Sequence, residues 1–532
     1  MQIDSEKTAV RCAAAKNIGT ARTAAVHFQQ NIPFERNPPS RRNIDMKLVI
    51  KGDLNPSYAQ QLCLIFFPGE KFSEHGEHIA GEPAVTFTVT DKGDRVSARA
   101  AIRYQGRKTE ATHTEQTAKW ETAKKASRIA AGVAMLGAGT KMFDSVPPWG
   151  ILTGVRPAKL ALAALEKSGN REDVIRELMK EYFVSPKKAA LVTDVALHEA
   201  DIVKNYGEGT CSLYISIPFC PTRCAYCSFI SYATKRLLSL IPEYIVRLKS
   251  DLDRIFRVIE ASGKRLVTVY IGGGTPTILN EEQLEDLLSA VDSHLKDLSA
   301  PLLEYTLEAG RPDTITAEKL AIAARHGVTR VSINPQTLSD DVLRAIGRRH
   351  TAEDFFRAFA LAKESGIPHI NTDLIAGLPG DTFHSFSDTV DRIAALEPDN
   401  ITVHTFCVKK SADILSSGVP IYSRTGTETG KCVDYSQLSA AAHGYVPYYI
   451  YRQKNSLGNF ENVGFAKPGA EGYYNIFIME EIHDIYAIGA GAVTKLVDRA
   501  NNRIERIFMP KYPYEYLSME DIDGVFARMK LK

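Results

Sequence analysis

The sequence predicts an α/β protein of several domains, and three observations lead to this prediction. The chain has 532 residues, more than one compact core supports, so two or three domains are expected. From residue 211 onward, short apolar runs alternate with amphipathic stretches, a pattern typical of parallel strands joined by crossover helices. Each run ends in polar or glycine-rich sequence, the position at which parallel barrels carry their reactive residues. The six runs are SLYISI, LVTVYI, LEYTLEA, VTRVSI, HINTDLI and NITVHTF.

Composition indicates an ordinary globular protein. Hydrophobic residues make up 44% and charged residues 24%, and the net charge of +2 gives no strong attraction to nucleic acid or to an acidic membrane surface. The sequence shows neither an apolar run near the roughly 20 residues that span a bilayer nor a secretory leader. Eight cysteines in a chain of this length indicate a reducing compartment and metal binding rather than a disulfide framework. We therefore expect a cytoplasmic protein without nucleic-acid or membrane partners.

Two segments precede the strand–helix repeats. Residues 1–45 are small, polar and basic, which predicts a disordered extension; an upstream start codon in the gene or an organelle transit peptide are the alternatives. Residues 46–145 combine short alternating strands with an alanine-rich helix around 115–138, which predicts a small α+β domain.

The next segments are a connector, the repeats and a C-terminal module. Residues 146–205 are predicted to be a helical connector, with Arg156 and Lys159 on a solvated helix face; a position near the main domain is the alternative. The strand–helix repeats occupy residues 206–430. Residues 431–532, rich in tyrosine and basic residues, predict a module that covers an organic polyacid substrate.

The most informative motif follows the first of the six runs. It places Cys220, Cys224 and Cys227 on one tight loop with Cys-x-x-x-Cys-x-x-Cys spacing. Runs of cysteine thiolates bind iron–sulfur clusters, whereas structural zinc sites usually combine paired Cys-x-x-Cys motifs into four closed ligands. Three thiolates leave one iron of a [4Fe–4S] cubane open to a small molecule. A zinc site or three unrelated thiols are the alternatives.

Further candidate residues lie at the ends of the second and third runs. Gly273, Gly274 and Thr275 belong to a glycine run that lets backbone groups approach a ligand closely, although a sharp turn alone also uses glycines. Glu308 is placed to accept hydrogen bonds from an amine or ribose hydroxyls; a salt bridge to Arg311 or to another basic group is its alternative.

The later runs add three polar candidates. Gln336 follows the fourth run, and Arg348 begins a basic stretch that suits a carboxylate ligand or a solvated face. Asp373 ends the fifth run and either holds a ribose diol or caps the following turn.

Two tyrosines and one further cysteine complete the candidates. Tyr214 precedes the cysteine motif on the first run and Tyr226 lies inside it, so both are expected to contact a cofactor, with core packing as the alternative. Cys407, at the end of the sixth run, either lines the cavity or is a buried free thiol.

Together with GGGTPT, EAGRPD, SINPQT, GRRH, DLIAGLPG and YRQKN…GNFENVG, these motifs resemble the oxygen-independent coproporphyrinogen III dehydrogenase family of radical S-adenosylmethionine (SAM) enzymes, and its HemZ-type branch in particular. The resemblance covers roughly Met46 to the end. It implies a partial (β/α)6 barrel that binds a [4Fe–4S] cluster through Cys220, Cys224 and Cys227. The SAM contacts that it implies are Tyr214, Tyr226, Gly273, Gly274, Thr275, Glu308, Gln336, Arg348, Asp373 and Cys407, of which Tyr214, Glu308 and Arg348 are expected to be catalytic.

The resemblance also implies a reaction and its partners. The reaction is oxidative decarboxylation of two propionates of coproporphyrinogen III to vinyls, which gives protoporphyrinogen IX and needs an electron donor such as flavodoxin or ferredoxin. The best-characterised members carry histidine at the position of Ser216 and a further cysteine at that of Phe229. A haem-modifying radical enzyme, a haem-trafficking protein and a simple zinc- or iron-binding scaffold are the alternatives.

Overall fold

The computed structural model describes residues 46–73, 82–227, 231–407, 427–501 and 503–530. The predicted extension 1–45 lies outside the described residues. Residues 45–532 form one compact unit, so the domain boundaries at 145, 205 and 430 stay predictions.

A five-stranded sheet occupies the N-terminal part of this unit, with strand order β2-β1-β3-β4-β5. Its alternating residues bury one face beneath two helices, of which α2 packs on β4 and β5. Strand β5 was not predicted, because its polar residues lack an apolar period; the helix expected around 115–138 therefore starts only at Ala123. The elements are β1 (Met46–Lys51), α1 (Pro56–Phe66), β2 (Phe72–Ser73), β3 (Ala84–Asp91), β4 (Arg95–Tyr104), β5 (Arg107–Gln116) and α2 (Ala123–Phe143).

Three helices follow: α3 (Pro157–Ser168), α4 (Arg171–Tyr182) and α5 (Pro186–Asn205). The expectation of a solvated face for Arg156 and Lys159 is wrong. Both side chains pair with the buried carboxylate of Glu481, at 3.4 Å for Lys159 Nζ. Burial of this carboxylate requires cationic partners. The sequence positions of Arg156 and Lys159 do not indicate this pairing, because Glu481 lies more than 300 residues further along the chain.

A second pairing joins the connector to the C-terminal part of the chain. Lys188 Nζ lies 2.7 Å from Glu461 Oε1, and Trp149 Nε1 donates to Glu461 Oε2 at 2.8 Å. Because Lys188 and Glu461 are both buried, this contact holds the connector against the strand Glu461–Ala466, which belongs to the larger sheet described next.

The six predicted parallel strands are confirmed. Strands β6 to β11 pair in sequence order, each parallel to the next, and helices connect them. The strands are β6 (Thr210–Ile217), β7 (Arg265–Gly273), β8 (Glu304–Leu307), β9 (Arg330–Ser332), β10 (His369–Ala376) and β11 (Asn400–Thr405). The helices are α6 (Lys235–Leu238), α7 (Ile241–Ser262), α8 (Glu281–Leu295), α9 (Ala317–Arg325), α10 (Asp340–Ala345), α11 (Ala352–Glu364) and α12 (Phe383–Ala395).

C-terminal strands extend this sheet at both edges. Strands β13 and β12 add antiparallel beyond β11, while β14 adds parallel beside β6 and continues into β15 and β16. Among the described residues, the sheet therefore has eleven strands, and the C-terminal region helps to form the walls around its interior. The elements are α13 (Thr427–Ala442), β12 (Val446–Arg452), β13 (Glu461–Ala466), α14 (Tyr473–Glu480), β14 (Asp484–Ile488), β15 (Val493–Asp498), β16 (Arg503–Phe508), α15 (Pro513–Leu517) and α16 (Ile522–Met529).

Candidate active site

A cavity of about 440 Å³ lies inside the barrel, reaching the carboxyl ends of its parallel strands. Parallel strands bring these ends to one edge of a sheet, which is why motifs distant in sequence meet there. All predicted site residues except Tyr214 line this cavity. They are Cys220, Cys224, Tyr226, Cys227, Gly273, Gly274, Thr275, Glu308, Gln336, Arg348, Asp373 and Cys407.

The cysteine loop, residues 218–227, is held by backbone hydrogen bonds at both ends. Cys220 N donates to Tyr232 O at 3.0 Å, and Ala225 N donates to Ile346 O at 2.9 Å. Arg311 supports the middle of the loop, because Nη1 donates to Thr222 Oγ1 at 3.0 Å. The alternative considered for Glu308, a salt bridge to Arg311, is not formed, because Arg311 makes a bidentate contact with Asp313 through two hydrogen bonds of 2.9 Å.

The three thiols of this loop fit an iron–sulfur cluster. Burial, together with the nearby thiols of Cys227 and Cys224, raises the pKa of Cys220 to about 11, so positive charge from a bound metal is needed to hold it as a thiolate. Among the described residues, no three His, Cys, Asp or Glu side chains converge on one metal ion. A cubane does not need such convergence, because each thiolate binds a different iron.

The glycine run lets the cysteine loop approach strand β7. A Cβ built on Gly274 would lie 2.4 Å from Phe219 O, so only glycine fits there without moving the loop backbone. Gly273 has a φ of +112°, a backbone angle that residues with a side chain rarely adopt. Its N–H donates to Glu308 Oε2 at 3.2 Å. The run therefore has a structural function in addition to the ligand contact that the sequence predicts.

Glu308 and Asp373 bring two carboxyl groups to the cavity. Burial, and then repulsion from Asp373, raise the pKa of Glu308 to about 8, with the Gly273 N–H opposing this rise. A cationic ligand beside Glu308 would reverse the shift and favour the carboxylate. The pair is thus suited to a ligand that carries positive charge, as SAM does on its sulfonium and amino groups.

Arg348 and Gln336 also line the cavity, in contact with the segments that carry Glu308 and Asp373. Arg348 is buried, and its Nη1 donates to Asn334 O at 2.5 Å and to Gly310 O at 3.3 Å. Its buried Nε has no hydrogen-bond partner among the residues that the structure describes. Gln336 has a φ of +68° and pairs its backbone with β10, where its N–H donates to Asp373 O at 3.1 Å. An unpaired donor on a buried guanidinium suits an anionic ligand group.

Tyr214 lies behind the cavity wall rather than in it. Its ring stacks on Tyr270 at 6.0 Å and on Tyr474 at 6.2 Å, and Tyr270 is the member of this stack that lines the cavity. A direct contact between Tyr214 and a cofactor stays a prediction. Cys407 lines the cavity, with its thiol 3.1 Å from Lys454 O.

Several lining residues were not predicted from sequence. A polar chain runs from Tyr451 OH to His404 Nδ1 at 3.0 Å and from His404 Nε2 to Asp373 Oδ2 at 3.7 Å, and Asn371 Nδ2 donates to Asp373 Oδ1 at 2.9 Å. His404 had no ligand spacing in the sequence, and only the pairing of β12 with β13 beside β11 brings Tyr451 to it. Other residues that line the cavity without having been predicted to do so include Tyr270, Arg311, Asn334, Tyr449 and Gln453.

Comparison with known proteins agrees with this site. Residues 214–393 match the radical SAM superfamily, whose cofactors are a [4Fe–4S] cluster and SAM. In the described part of the chain, no helix is long and apolar enough to cross a membrane.

Two relatives define the family more closely. The chain is 38% identical over 370 residues to the oxygen-independent coproporphyrinogen-III oxidase-like protein HemZ of Bacillus subtilis, covering 69% of this chain and 74% of the relative. It is 32% identical over 284 residues to the heme chaperone HemW of the same organism, covering 53% of this chain and 70% of that one. The chain therefore belongs to the radical SAM family that contains the coproporphyrinogen III oxidase-like proteins and the HemW proteins, which confirms the resemblance. The solved structure of coproporphyrinogen III oxidase (HemN) from Escherichia coli is similar at 22% identity with a TM-score of 0.47, covering 62% of this chain and 73% of that one.

Proposed function

We propose that the protein catalyses oxidative decarboxylation of the propionates of coproporphyrinogen III to vinyls, giving protoporphyrinogen IX. The observation that carries the proposal is one cavity that joins the three cysteines to a wall formed by Tyr270, Tyr449 and Tyr451. A tetrapyrrole offers flat apolar rings to such tyrosines and carboxylates to the hydrogen-bond donors between them. The name of the HemZ relative, which shares the same region of sequence, supports this substrate class.

Each cavity residue has a defined part in the proposal. Cys220, Cys224 and Cys227 would hold the cluster, and Glu308 would accept hydrogen bonds from the SAM amino group or ribose. When bound, the cluster and SAM would supply one-electron cleavage of SAM to methionine and a 5′-deoxyadenosyl radical, which could remove a hydrogen atom from the β-carbon of a propionate. Loss of CO2 and transfer of one electron to an external one-electron acceptor would then leave the vinyl.

The remaining residues would orient the reactants and exclude water. Arg348, with its unpaired Nε, would bind a carboxylate. Asp373, held by Asn371 and facing His404, would bind a ribose diol, the prediction made for it from sequence. The tyrosine wall would keep water from the radical, and a fixed orientation of the reacting carbon would bring it close to the attacking group.

The proposal includes a cytoplasmic location. The cysteines of the described residues are all free thiols, which is typical of a reducing compartment.

The second candidate is haem trafficking. It is favoured by the similarity to HemW. It is also favoured by two differences from the best-characterised dehydrogenases, because this chain has Ser216 where they have histidine and Phe229 where they have a further cysteine. Ser216 is buried, with its hydroxyl donating to Ala490 O at 2.9 Å, and Phe229 lies outside the described residues. A radical enzyme that modifies haem is a further variant of this reading.

The test is turnover by anaerobically reconstituted, chemically reduced protein with and without coproporphyrinogen III. Formation of 5′-deoxyadenosine together with the decarboxylated porphyrinogen supports the proposal. Tight haem binding without decarboxylation favours trafficking, and a haem-dependent rise in 5′-deoxyadenosine with a modified haem favours the haem-modifying enzyme.

Two cysteine variants provide matched controls for this experiment. Cys224→Ala should lose iron and activity, whereas Cys211→Ala, in the buried interior of β6 and outside the cavity lining, should keep both. If Cys224→Ala retained full iron content and activity, the assignment of the three thiols would be wrong.

A further inference from the structure

A buried arginine contacts one of the three thiols of the cysteine loop. The side chain of Arg311, shortly after β8, is 3% exposed. Its Nη1 donates to Cys224 Sγ at 3.9 Å, and the same nitrogen donates to Thr222 Oγ1 at 3.0 Å. The guanidinium therefore supports the loop and also faces a predicted cluster ligand.

Asp313 fixes the direction in which this guanidinium points. Nε and Nη2 of Arg311 donate to the two carboxylate oxygens of Asp313, both at 2.9 Å. The backbone of Arg311 is held as well, because Thr314 N and Thr314 Oγ1 donate to Arg311 O at 2.9 and 2.8 Å. Since Nε and Nη2 bind the carboxylate, Nη1 is the nitrogen that reaches the loop.

A second buried arginine adds positive charge at the same thiol. Arg348 lies beside Cys224. Among the described residues, Arg311 pairs with Asp313, whereas Arg348 has no carboxylate partner. Burial, and then the charge of Arg348, lower the pKa of the neighbouring His350 to about 3, so its ring adds no charge at neutral pH. Two guanidiniums and one carboxylate thus leave Cys224 beside an excess of positive charge.

This charge bears on the reduction of a bound cluster. An iron–sulfur cluster held by three thiolates is negatively charged overall, and reduction adds one further electron to it. Its reduction potential depends on this net charge and on hydrogen bonds to the sulfurs. A buried cation is screened less by the solution than an exposed one. Positive charge beside Cys224 Sγ therefore stabilises the reduced cluster more than the oxidised cluster.

We propose that Arg311 raises the reduction potential of the bound cluster through its contact with Cys224 Sγ. It is a positioning residue, since it acts through a cluster ligand and not on SAM or on the substrate. In the step concerned, an external reductant gives one electron to the cluster, and no bond is made or broken in the protein. The inference rests on the cluster ligands assigned in the proposed function, but not on coproporphyrinogen III as substrate.

The test is a redox titration of the anaerobically reconstituted protein with dithionite, followed by electron paramagnetic resonance, with neither SAM nor substrate present. Arg311→Gln removes the positive charge, and Asp313→Asn removes the carboxylate that offsets it. Thr222→Val is the matched control, because it removes a hydrogen bond between Arg311 and the same loop but keeps every charge. Iron content shows whether the four proteins carry the same cluster.

We expect the ratio of reduced to oxidised cluster at a fixed potential to fall roughly tenfold in Arg311→Gln, a shift of about 59 mV toward lower potential for a one-electron couple. Asp313→Asn should shift the potential the opposite way, because the guanidinium then lacks its counter-charge. Thr222→Val should stay close to wild type. A role of Arg311 in holding the loop alone does not predict opposite signs for the two charge variants.

Equal potentials of the wild type and Arg311→Gln would overturn the inference, as would shifts of the same sign in Arg311→Gln and Asp313→Asn. If Arg311→Gln bound no cluster, the sign of the shift in Asp313→Asn would decide. A wild-type protein that bound no [4Fe–4S] cluster would overturn the inference together with the assignment of the three thiols. The expected shifts without decarboxylation of coproporphyrinogen III would refute the substrate and leave the role of Arg311 standing.

Discussion

The ionisation of Glu308 predicts that the variant Glu308→Gln is more stable than the wild type at high pH but binds SAM more weakly. Replacement by glutamine keeps the shape of the side chain and removes its ionisation. The pKa of Glu308 in the folded protein is about 8, against an ordinary value of 4.5. Because the folded value is the higher one, the unfolded chain ionises first, and the wild type loses stability as pH rises from about 4.5 to about 8.

The size of this loss follows from the two pKa values. Their difference of about 3.5, at about 1.4 kcal/mol for each pKa unit, sets an upper limit of about 5 kcal/mol. The side chain of Glu308 is partly accessible from the cavity, and solvent screening reduces this figure. Glu308→Gln should therefore be close to wild type at pH 5 and more stable by up to this amount at pH 8.5.

SAM binding should change in the opposite direction. If Glu308 binds the cationic ligand as a carboxylate, wild-type affinity rises with pH up to about 8, and Glu308→Gln loses both affinity and this pH dependence. Denaturant unfolding of the metal-free protein and calorimetric titration of the reconstituted protein with SAM measure the two effects. Glu282→Gln, an exposed residue in α8, is the control and should change neither. A stability difference between Glu308→Gln and wild type that did not vary with pH would refute the reasoning.

Two further predictions concern packing and buried charge. Gly274→Ala should displace the backbone of the cysteine loop at a cost of about 1–3 kcal/mol and lower the iron content after reconstitution. The control is Gly154→Ala, because a Cβ at that position meets no atom within 4 Å. Equal iron content in the two variants would contradict the explanation. Lys188→Met leaves the buried carboxylate of Glu461 without its cation and should lower the free energy of unfolding by about 3–5 kcal/mol in a denaturant titration. Its neighbour Lys187 is exposed, so Lys187→Met should cost little, and similar losses in the two variants would rule out the buried pair as the cause.

The parts of the site that the sequence predicts are those at the ends of successive parallel strands. Residues such as Glu308, directly after β8, and Asp373, in the second half of β10, could be placed in one cavity because the strand–helix repeat fixes the direction and order of the strands. The prediction that Asp373 ends its strand is wrong, since β10 continues to Ala376. Tyr451 could not be placed, because its position depends on antiparallel strands that add to the sheet beyond β11. The periodicity of those strands does not say which edge they join.

Electrostatic properties were equally hidden from the sequence. The raised pKa of Glu308 comes from burial and from Asp373, 65 positions further along the chain. The ion pairs of Arg156 and Lys159 with Glu481 likewise join distant segments. Such pairings depend on tertiary packing, whereas the spacing of Cys220, Cys224 and Cys227 is local and was readable directly.

The most direct test of the account is electron paramagnetic resonance of the anaerobically reconstituted, reduced protein before and after addition of SAM. We predict the signal of a reduced [4Fe–4S] cluster whose g values change when SAM binds, and its loss when Cys220, Cys224 or Cys227 is replaced by alanine. A cluster signal indifferent to SAM, or one that survives these replacements, would contradict the assignment of this cavity as a radical SAM site.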